Sequence, residues 1–273
     1  MEGALSTAVV ALLCRTSDRT AGGARGARAL AAELGERLGV EPRVVGSPGE
    51  PRPAPWDHDL RTSRGCLLEA GGQVEDALNR GDFPILTAGD CSICMTTFPA
   101  VLRHRPDAHV LWLDAHGDFN TPDTTPSGFL GGMCLAAACG VWDDGLGATP
   151  HVDPARVVTC GVRDLEAGER ALVDLRGLKS ERPSEVAERL AGLPVYVHLD
   201  LDVLDPTVFP AQFEATGGLS DTGLRRLLGE VAASAEVLGL EITAFEAPAD
   251  ERSAGGLAEL VTAILDPLLE VAT

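Results

Sequence analysis

The stretch HVLWLDAHGDFN, which spans His109–Asn120, decides both the fold and the place of the chemistry. It opens with a short apolar run, which predicts a β-strand buried on both faces, and it turns polar where that run ends. A second stretch, PVYVHLDLDVLDP at Pro194–Pro206, makes the same change from apolar to acidic residues. Ligands bind beyond the carboxyl ends of strands in open α/β sheets, so both stretches predict strands that lead into a binding site.

Apolar runs bounded by turn residues recur along the chain and predict further buried strands. The predicted strands are Val9–Cys14, Arg43–Val45, Pro84–Thr87, His109–Leu113, Arg156–Cys160, Val195–Asp200 and Val237–Ile242. Segments with helical spacing of Ala and Leu alternate with them. The predicted helices are Ala27–Leu38, Leu67–Leu78, Ser92–Leu102, Gly132–Cys139, Ser220–Ala235 and Ala254–Leu269. This alternation predicts an α/β fold, a three-layer αβα sandwich with a central, mostly parallel, eight-stranded sheet in a single domain over residues 1–273. The Pro- and Gly-rich segment Gly46–Pro55 is interpreted as a surface loop.

Charge and cysteine content limit the partners and the compartment. Lys and Arg number 22 against 41 Asp and Glu, a formal net charge of -19, which disfavours nucleic acid and anionic membranes and suits a small cationic substrate. No apolar run approaches the roughly 20 residues of a membrane span. An odd total of seven scattered cysteines indicates reduced thiols and predicts a cytoplasmic protein. The sequence is compatible with a homo-oligomer.

Three polar clusters follow predicted strands, at Thr87–Ser92, Trp112–Asn120 and His198–Pro206. Alternate residues of an extended strand share a face, so the acidic and histidine side chains of each cluster are expected to aim at one point. Clustered carboxylates repel one another unless cations neutralise them, and Mn²⁺ or Mg²⁺ takes carboxylate oxygen with some imidazole. A single Asp-x-Asp would most simply end a strand, but the two acidic clusters together favour a site for two metal ions.

Two of these clusters carry a family resemblance. The runs Asp114-Ala-His116-Gly-Asp118-x-Asn120 and Asp200-x-Asp202-x-x-Asp205-Pro206 resemble the signature motifs of the arginase/agmatinase/formiminoglutamase family, and the resemblance covers nearly the whole chain. A Gly-Gly-Asp-His-Ser motif comes first in that family, and Cys91 stands here at the place of its metal-binding histidine. The resemblance implies two Mn²⁺ ions, one held by Cys91, Asp114, Asp118 and Asp200 and the other by Asp114, His116, Asp200 and Asp202.

The same resemblance implies a metal-dependent amidinohydrolase, in which ionised water attacks a guanidino or formimino carbon. Divalent ions lower the pKa of bound water toward neutrality. Asp118 is the candidate to orient that water and to carry its proton to the leaving amine. The predicted substrate residues resemble those that grip an amino acid's α-carboxylate (Asn120, Thr125 and Ser127) and its α-ammonium group (Glu166 and Glu169). Turn formation and an acidic helix start explain the same residues equally well.

Several positions depart from the family pattern. The Cys91 thiolate is a softer ligand than imidazole. Ala244 stands where the family has a glutamate that binds guanidinium, and Glu246, two residues further along a predicted strand face, is the candidate to replace it in binding and catalysis. Gly131 replaces a histidine that animal arginases use as a proton shuttle. Cys91 and Cys94 also form a CxxC pair, but a redox pair needs no aspartate clusters, so Cys94 is predicted to be a buried helix residue. The departures predict an altered substrate. The alternatives are arginase, agmatinase or formiminoglutamase activity on another guanidino or formimino substrate, or a noncatalytic family member.

Overall fold

A computed structural model describes residues 6–272 and places every strand in one sheet. The strands are β1 (Thr7–Leu12), β2 (Arg43–Val45), β3 (Phe83–Ala88), β4 (His109–Leu113), β5 (Val157–Cys160), β6 (Ser180–Glu181), β7 (Pro194–Asp200) and β8 (Glu236–Thr243). The sheet has eight strands in the order β2-β1-β3-β8-β7-β4-β5-β6, and each pair is parallel. The predicted eight-stranded central sheet is confirmed.

Helices cover both faces of the sheet. They are α1 (Gly22–Leu38), α2 (Trp56–Arg80), α3 (Cys94–His104), α4 (Cys134–Ala138), α5 (Ala167–Arg176), α6 (Pro183–Leu190), α7 (Asp221–Ser234) and α8 (Glu251–Val271). One apolar core lies between the sheet and α1, α6, α7 and α8, and a second lies between the opposite face and α2, α3 and α4, with α5 at its margin. The predicted three-layer sandwich is therefore confirmed.

The sequence pattern left out the least apolar elements. Neither β6, with its two residues, nor helices α5 and α6 offered an apolar run long enough to predict. The start of α1 was also missed, because its glycines lower helix propensity. These glycines lie against neighbouring segments, where a side chain would not fit. Packing therefore overrides local propensity here.

One expectation about the cysteines is wrong. Cys14, just beyond β1, and Cys66, within α2, form a disulfide across a sequence separation of 52 residues. The cysteine count alone could not foresee that the packing of α2 beside β1 brings these two thiols together. The other five cysteines are free, and Cys94 is buried on α3 as predicted.

No helix within residues 6–272 is both long enough and apolar enough to cross a membrane.

The order of the strands places the polar clusters together. The four central strands are β3, β8, β7 and β4, and β4 pairs with β7 so that Leu113 lies beside Leu199. Asp114 directly follows β4 and Asp200 ends β7, while Asp90 and Ala244 follow β3 and β8. All four positions therefore lie at one edge in the middle of the sheet, where open α/β sheets bind ligands.

Candidate metal centre and substrate cavity

Backbone turns fix the carboxylates at the ends of β4 and β7. The Asp200 side chain accepts a hydrogen bond from the backbone N–H of Asp202 at 2.8 Å, and Asp114 accepts one from the N–H of His116 at 2.7 Å. Asp202 reaches across to accept from the N–H of Ala115 at 3.0 Å. Each carboxylate is therefore held by an amide two residues along the chain or in the loop that follows β4.

The structure brings the two acidic clusters and Cys91 into one group. The Nδ1 atom of His116 lies 3.0 Å from an Asp202 oxygen and 3.5 Å from an Asp114 oxygen. On the other side, the Cys91 Sγ lies 2.8 Å from Asp200 Oδ2. The strand-alternation argument is wrong for both clusters. β4 ends at Leu113 and Asp118 has a left-handed φ of 48°, and Asp202 lies in a short 3-10 helix that follows β7. A turn, rather than one face of a strand, directs these side chains.

The group carries more negative charge than its surroundings can balance. Burial, reinforced by the charge of Asp202, raises the pKa of Asp114 to about 7. Burial and neighbouring carboxylates likewise raise the pKa values of Asp118 and Asp200 well above their ordinary range. Burial alone would lower the pKa of His116, but its bonds to Asp114 and Asp202 outweigh that effect and raise it to about 12. The cluster therefore attracts additional positive charge.

The donor atoms fit divalent metal ions. Asp114 Oδ2 and His198 Nε2 are buried and have no hydrogen-bond partner among the described residues. Two sets of ligand atoms lie within 4.8 Å of one another, Asp114 with His116 and Asp202, and Asp114 with Cys91 and His198. Carboxylate, imidazole and thiolate are all ligands for first-row divalent ions, and Asp114 belongs to both sets. His198 was not predicted, although it lies two residues before Asp200 on the same strand.

A cavity of about 490 Å³ opens over this group. Most of the predicted site residues line it, with Cys91, His116, Asp118, Asp200 and Asp202 on one side and Asn120, Ser127, Glu166, Glu169 and Glu246 on the others. Thr125 serves the turn instead, because its hydroxyl accepts a hydrogen bond from the N–H of Gly128 at 3.0 Å. Asp114 lies beneath the cavity surface, with 1% of its area exposed.

Glu166 and Glu169, the two residues predicted to bind an α-ammonium group, differ in their hydrogen-bond partners and in their burial. Glu169 is buried, and its two oxygens accept hydrogen bonds from the backbone N–H groups of Phe119 at 2.9 Å and Glu166 at 3.1 Å. Burial raises the pKa of this carboxyl. Glu166 is only half-buried, and its Oε2 accepts from the Asn120 amide at 2.7 Å. Glu169 therefore fixes the loop that carries Asn120, while Glu166 lies at the cavity wall.

The end of β8 differs from the expectation for Glu246. β8 ends at Thr243 and Ala244 has a left-handed φ of 57°, so the argument that Ala244 and Glu246 share a strand face is wrong. The turn nevertheless carries Glu246 to the same cavity. Its Oε2 accepts a hydrogen bond from the Thr20 hydroxyl at 2.6 Å, and its carboxylate lies against Gly22, the first residue of α1. No side chain would fit at Gly22.

An aromatic pair and an arginine narrow the cavity near Gly131. A Cβ atom added at Gly131 would lie 2.6 Å from the ring of Phe129, which fills the space that a histidine there would need. The Arg19 guanidinium lies 4.6 Å from the Phe129 ring centroid and 5.7 Å from that of Phe213. Sequence reasoning missed Arg19 and Phe213, because loop residues without periodicity give no signal. They add one positive charge to an acidic cavity.

The arginase family profile matches residues 54–266 of the chain. The chain belongs to the arginase family. It is similar to the N(omega)-hydroxy-L-arginine amidinohydrolase of Streptomyces lavendulae, with 34% identity over 263 residues that cover 94% of this chain and 95% of that protein. Two solved arginases share the fold over 97% of this chain and 98% of theirs, from Bacillus caldovelox (TM-score 0.79, 26% identity) and Bacillus cereus (TM-score 0.80, 27% identity). The protein is therefore an enzyme, a hydrolase of C–N bonds in linear amidines.

Proposed function

We propose that this arginase-family enzyme uses two Mn²⁺ ions to hydrolyse the guanidino C–N bond of Nω-hydroxy-L-arginine, giving L-ornithine and hydroxyurea. The observation that carries the proposal is the Cys91 thiol, which lies within the carboxylate group at 2.8 Å from Asp200. The relative from Streptomyces lavendulae, which covers almost the whole chain, is named for this substrate. The proposed metal ligands are Cys91, Asp114, His116, Asp118, Asp200 and Asp202.

The chemistry of an N-hydroxylated guanidine agrees with the departures from the family pattern at Cys91 and Gly131. An N-hydroxyl group withdraws electrons and lowers the basicity of a guanidine, so more of the substrate is neutral and its carbon is attacked more easily. Such a substrate depends less on a strong Lewis acid and on a histidine proton shuttle than arginine does. A softer thiolate at Cys91 and a filled space beside Gly131 are the matching features of this site.

Asp118 is proposed as the residue that moves the proton. When bound, the two ions supply positive charge and ionise a water molecule near neutral pH. Asp118 is buried and lines the cavity beside the other proposed ligands. A carboxylate in this place would accept a proton from the attacking water and return it to the leaving amine. Glu246 lines the same cavity and is proposed to bind the guanidino group.

The far side of the cavity supports an α-amino acid as substrate. Asn120, Ser127 and Glu166 line this wall and offer an amide, a hydroxyl and a carboxylate to an α-carboxylate and an α-ammonium group. We also assign Glu169 to the ammonium side and Thr125 to the carboxylate side, where each acts by holding its loop. Agmatine lacks the α-carboxylate and would leave part of this wall without a partner, which favours an amino acid over an amine.

Steady-state turnover of a guanidino panel by the manganese-reconstituted enzyme tests the proposal. The panel contains Nω-hydroxy-L-arginine, L-arginine, agmatine, 4-guanidinobutyrate and N-formimino-L-glutamate, with ornithine, hydroxyurea, urea and formamide measured as products. We expect the highest kcat/KM on hydroxyarginine, with equal amounts of ornithine and hydroxyurea. A higher kcat/KM on any other member, or no turnover at all, would contradict the proposed substrate.

A further inference from the structure

His198 lies beside the proposed metal ligands Cys91 and Asp114 and has no role in the proposed reaction. It belongs to β7, two residues before Asp200, and its side chain is fully buried. Its ring stacks on Trp112 with centroids 3.7 Å apart and an angle of 2° between the planes, and Phe98 packs edge-on at 6.1 Å. These contacts fix the plane of the imidazole, so the directions of its two nitrogens are fixed as well.

The Nδ1 atom of His198 contacts a carboxylate, whereas Nε2 has no hydrogen-bond partner among the described residues. The Nδ1 atom lies 2.6 Å from Oε1 of Glu241, which is also fully buried, and the Tyr196 hydroxyl donates to the other Glu241 oxygen at 3.4 Å. A carboxylate partner at Nδ1 keeps the proton on that nitrogen and leaves the lone pair of Nε2 available. Within residues 6–272, Nε2 is buried and has no hydrogen-bond partner.

The His198 ring lies beside two proposed ligands. One of its nitrogens, the Cys91 Sγ and an Asp114 oxygen all lie within 4.8 Å of one another. Because Nδ1 contacts Glu241, Nε2 is the nitrogen left to bind an ion. A buried polar atom without a partner is destabilising, and a metal ion between these three atoms would remove that cost. Histidine ligands of metals ordinarily donate their other ring nitrogen to a carboxylate, which is the arrangement that Glu241 makes with His198.

We propose that His198 Nε2 is a ligand of the metal ion at Cys91. The imidazole that position 91 lacks is then supplied from β7, two residues before Asp200, and Glu241 orients it. This inference rests on the proposed function, because it concerns the same metal centre. With His198 included, the ion at Cys91 has one sulfur and one nitrogen ligand besides its carboxylates, a set that accepts Co²⁺ and Zn²⁺ as well as Mn²⁺.

X-ray absorption of the wild-type protein loaded with two equivalents of Co²⁺ counts the imidazoles directly and needs no variant. Two imidazoles shared between the two ions, from His116 and His198, are expected. One imidazole, with two ions bound, would overturn the inference. If the wild type binds no Co²⁺ and turns over no guanidino substrate, the proposed function fails as well, so the two failures are distinguishable.

Co²⁺ titration of His198→Gln supplies the second readout. The thiolate-to-cobalt band in the ultraviolet-visible spectrum reports the ion at Cys91. In this variant the midpoint of the titration is expected to move to at least about tenfold higher Co²⁺ concentration. The X-ray absorption spectrum is expected to show one imidazole fewer than in the wild type. His151→Gln removes an exposed imidazole and controls for nonspecific effects, so its midpoint should match the wild type. A wild-type midpoint in His198→Gln would make His198 a structural partner of Glu241 and overturn the proposal.

Discussion

The two halves of the site are built differently. On the β4/β7 half, Asp114 and Asp200 each accept a backbone N–H from two residues further on, so the turns themselves position these carboxylates. On the β3/β8 half, Asp90 accepts the N–H of Ser92 in the same way, but Glu246 depends on a side-chain contact with Thr20. Of the residues that depart from the family pattern, Cys91 and Ala244 lie on this second half, and Gly131, in the segment after β4, lies against Asp90 there. The comparison indicates that the two aspartate turns keep the family pattern, while the departures, one of them at a proposed metal ligand, gather around the ends of β3 and β8.

The largest effect is expected on the β4/β7 half. Asp200→Asn removes a charge proposed to be shared by both ions, so both should be lost together and kcat/KM should fall by on the order of 10³-fold or more. Elemental analysis of the purified variant and steady-state kinetics measure the two consequences. Asp123→Asn, at an exposed position of the substrate loop, is the control and should behave as wild type. Two tightly bound ions and near-normal turnover in Asp200→Asn would remove the basis for a shared ligand.

A smaller but more selective effect is expected at Cys91, on the β3/β8 half. Cys91→Ala should lose the ion at that position and reduce kcat/KM by about 10–100-fold. Cys91→His should keep the fold, bind Mn²⁺ more tightly, and raise turnover of arginine relative to hydroxyarginine, because imidazole suits Mn²⁺ better than thiolate does. Metal content and kinetics on both substrates check this pair of variants. Full metal occupancy and unchanged rates in Cys91→Ala would show that the thiol is not a ligand.

The wall beside Gly131 should show a packing effect. A side chain there meets the Phe129 ring, so Gly131→His should lower stability by about 1–3 kcal/mol and depress activity on both substrates. The double variant that adds Phe129→Ala opens the space and should recover stability. Thermal unfolding and kinetics of the single and double variants measure both quantities. A fully stable and active Gly131→His single variant would contradict the packing argument.

The smallest effect concerns the metal-free protein. The pKa of Asp114 is raised to about 7 and that of His116 to about 12, so the folded state binds more protons than the unfolded state from about pH 4 upward. Stability then falls as pH rises through this range. Thermal unfolding in EDTA should therefore give a lower Tm at pH 8 than at pH 5.5, and added Mn²⁺ should stabilise more at pH 8. A rising Tm in EDTA over this interval would contradict the electrostatic description of the cluster.

The sequence predicted the sheet and the acidic half of the site because both depend on short local patterns. The apolar run His109–Leu113 and the acidic residues after it lie next to each other in the chain, and the strand bounds were predicted without error. Arg19, Phe213 and His198 were missed because they act through contacts between distant segments. The Cys14–Cys66 disulfide was missed for the same reason, since it joins the segment after β1 to α2 over 52 residues.

Anomalous diffraction from crystals of the manganese-loaded enzyme tests the central claim most directly. The account predicts two peaks about 3.5–4 Å apart at the carboxyl ends of β4 and β7, with Asp114 and Asp200 contacting both ions and Cys91 contacting one. A single peak, or two peaks that share neither aspartate, would contradict the account.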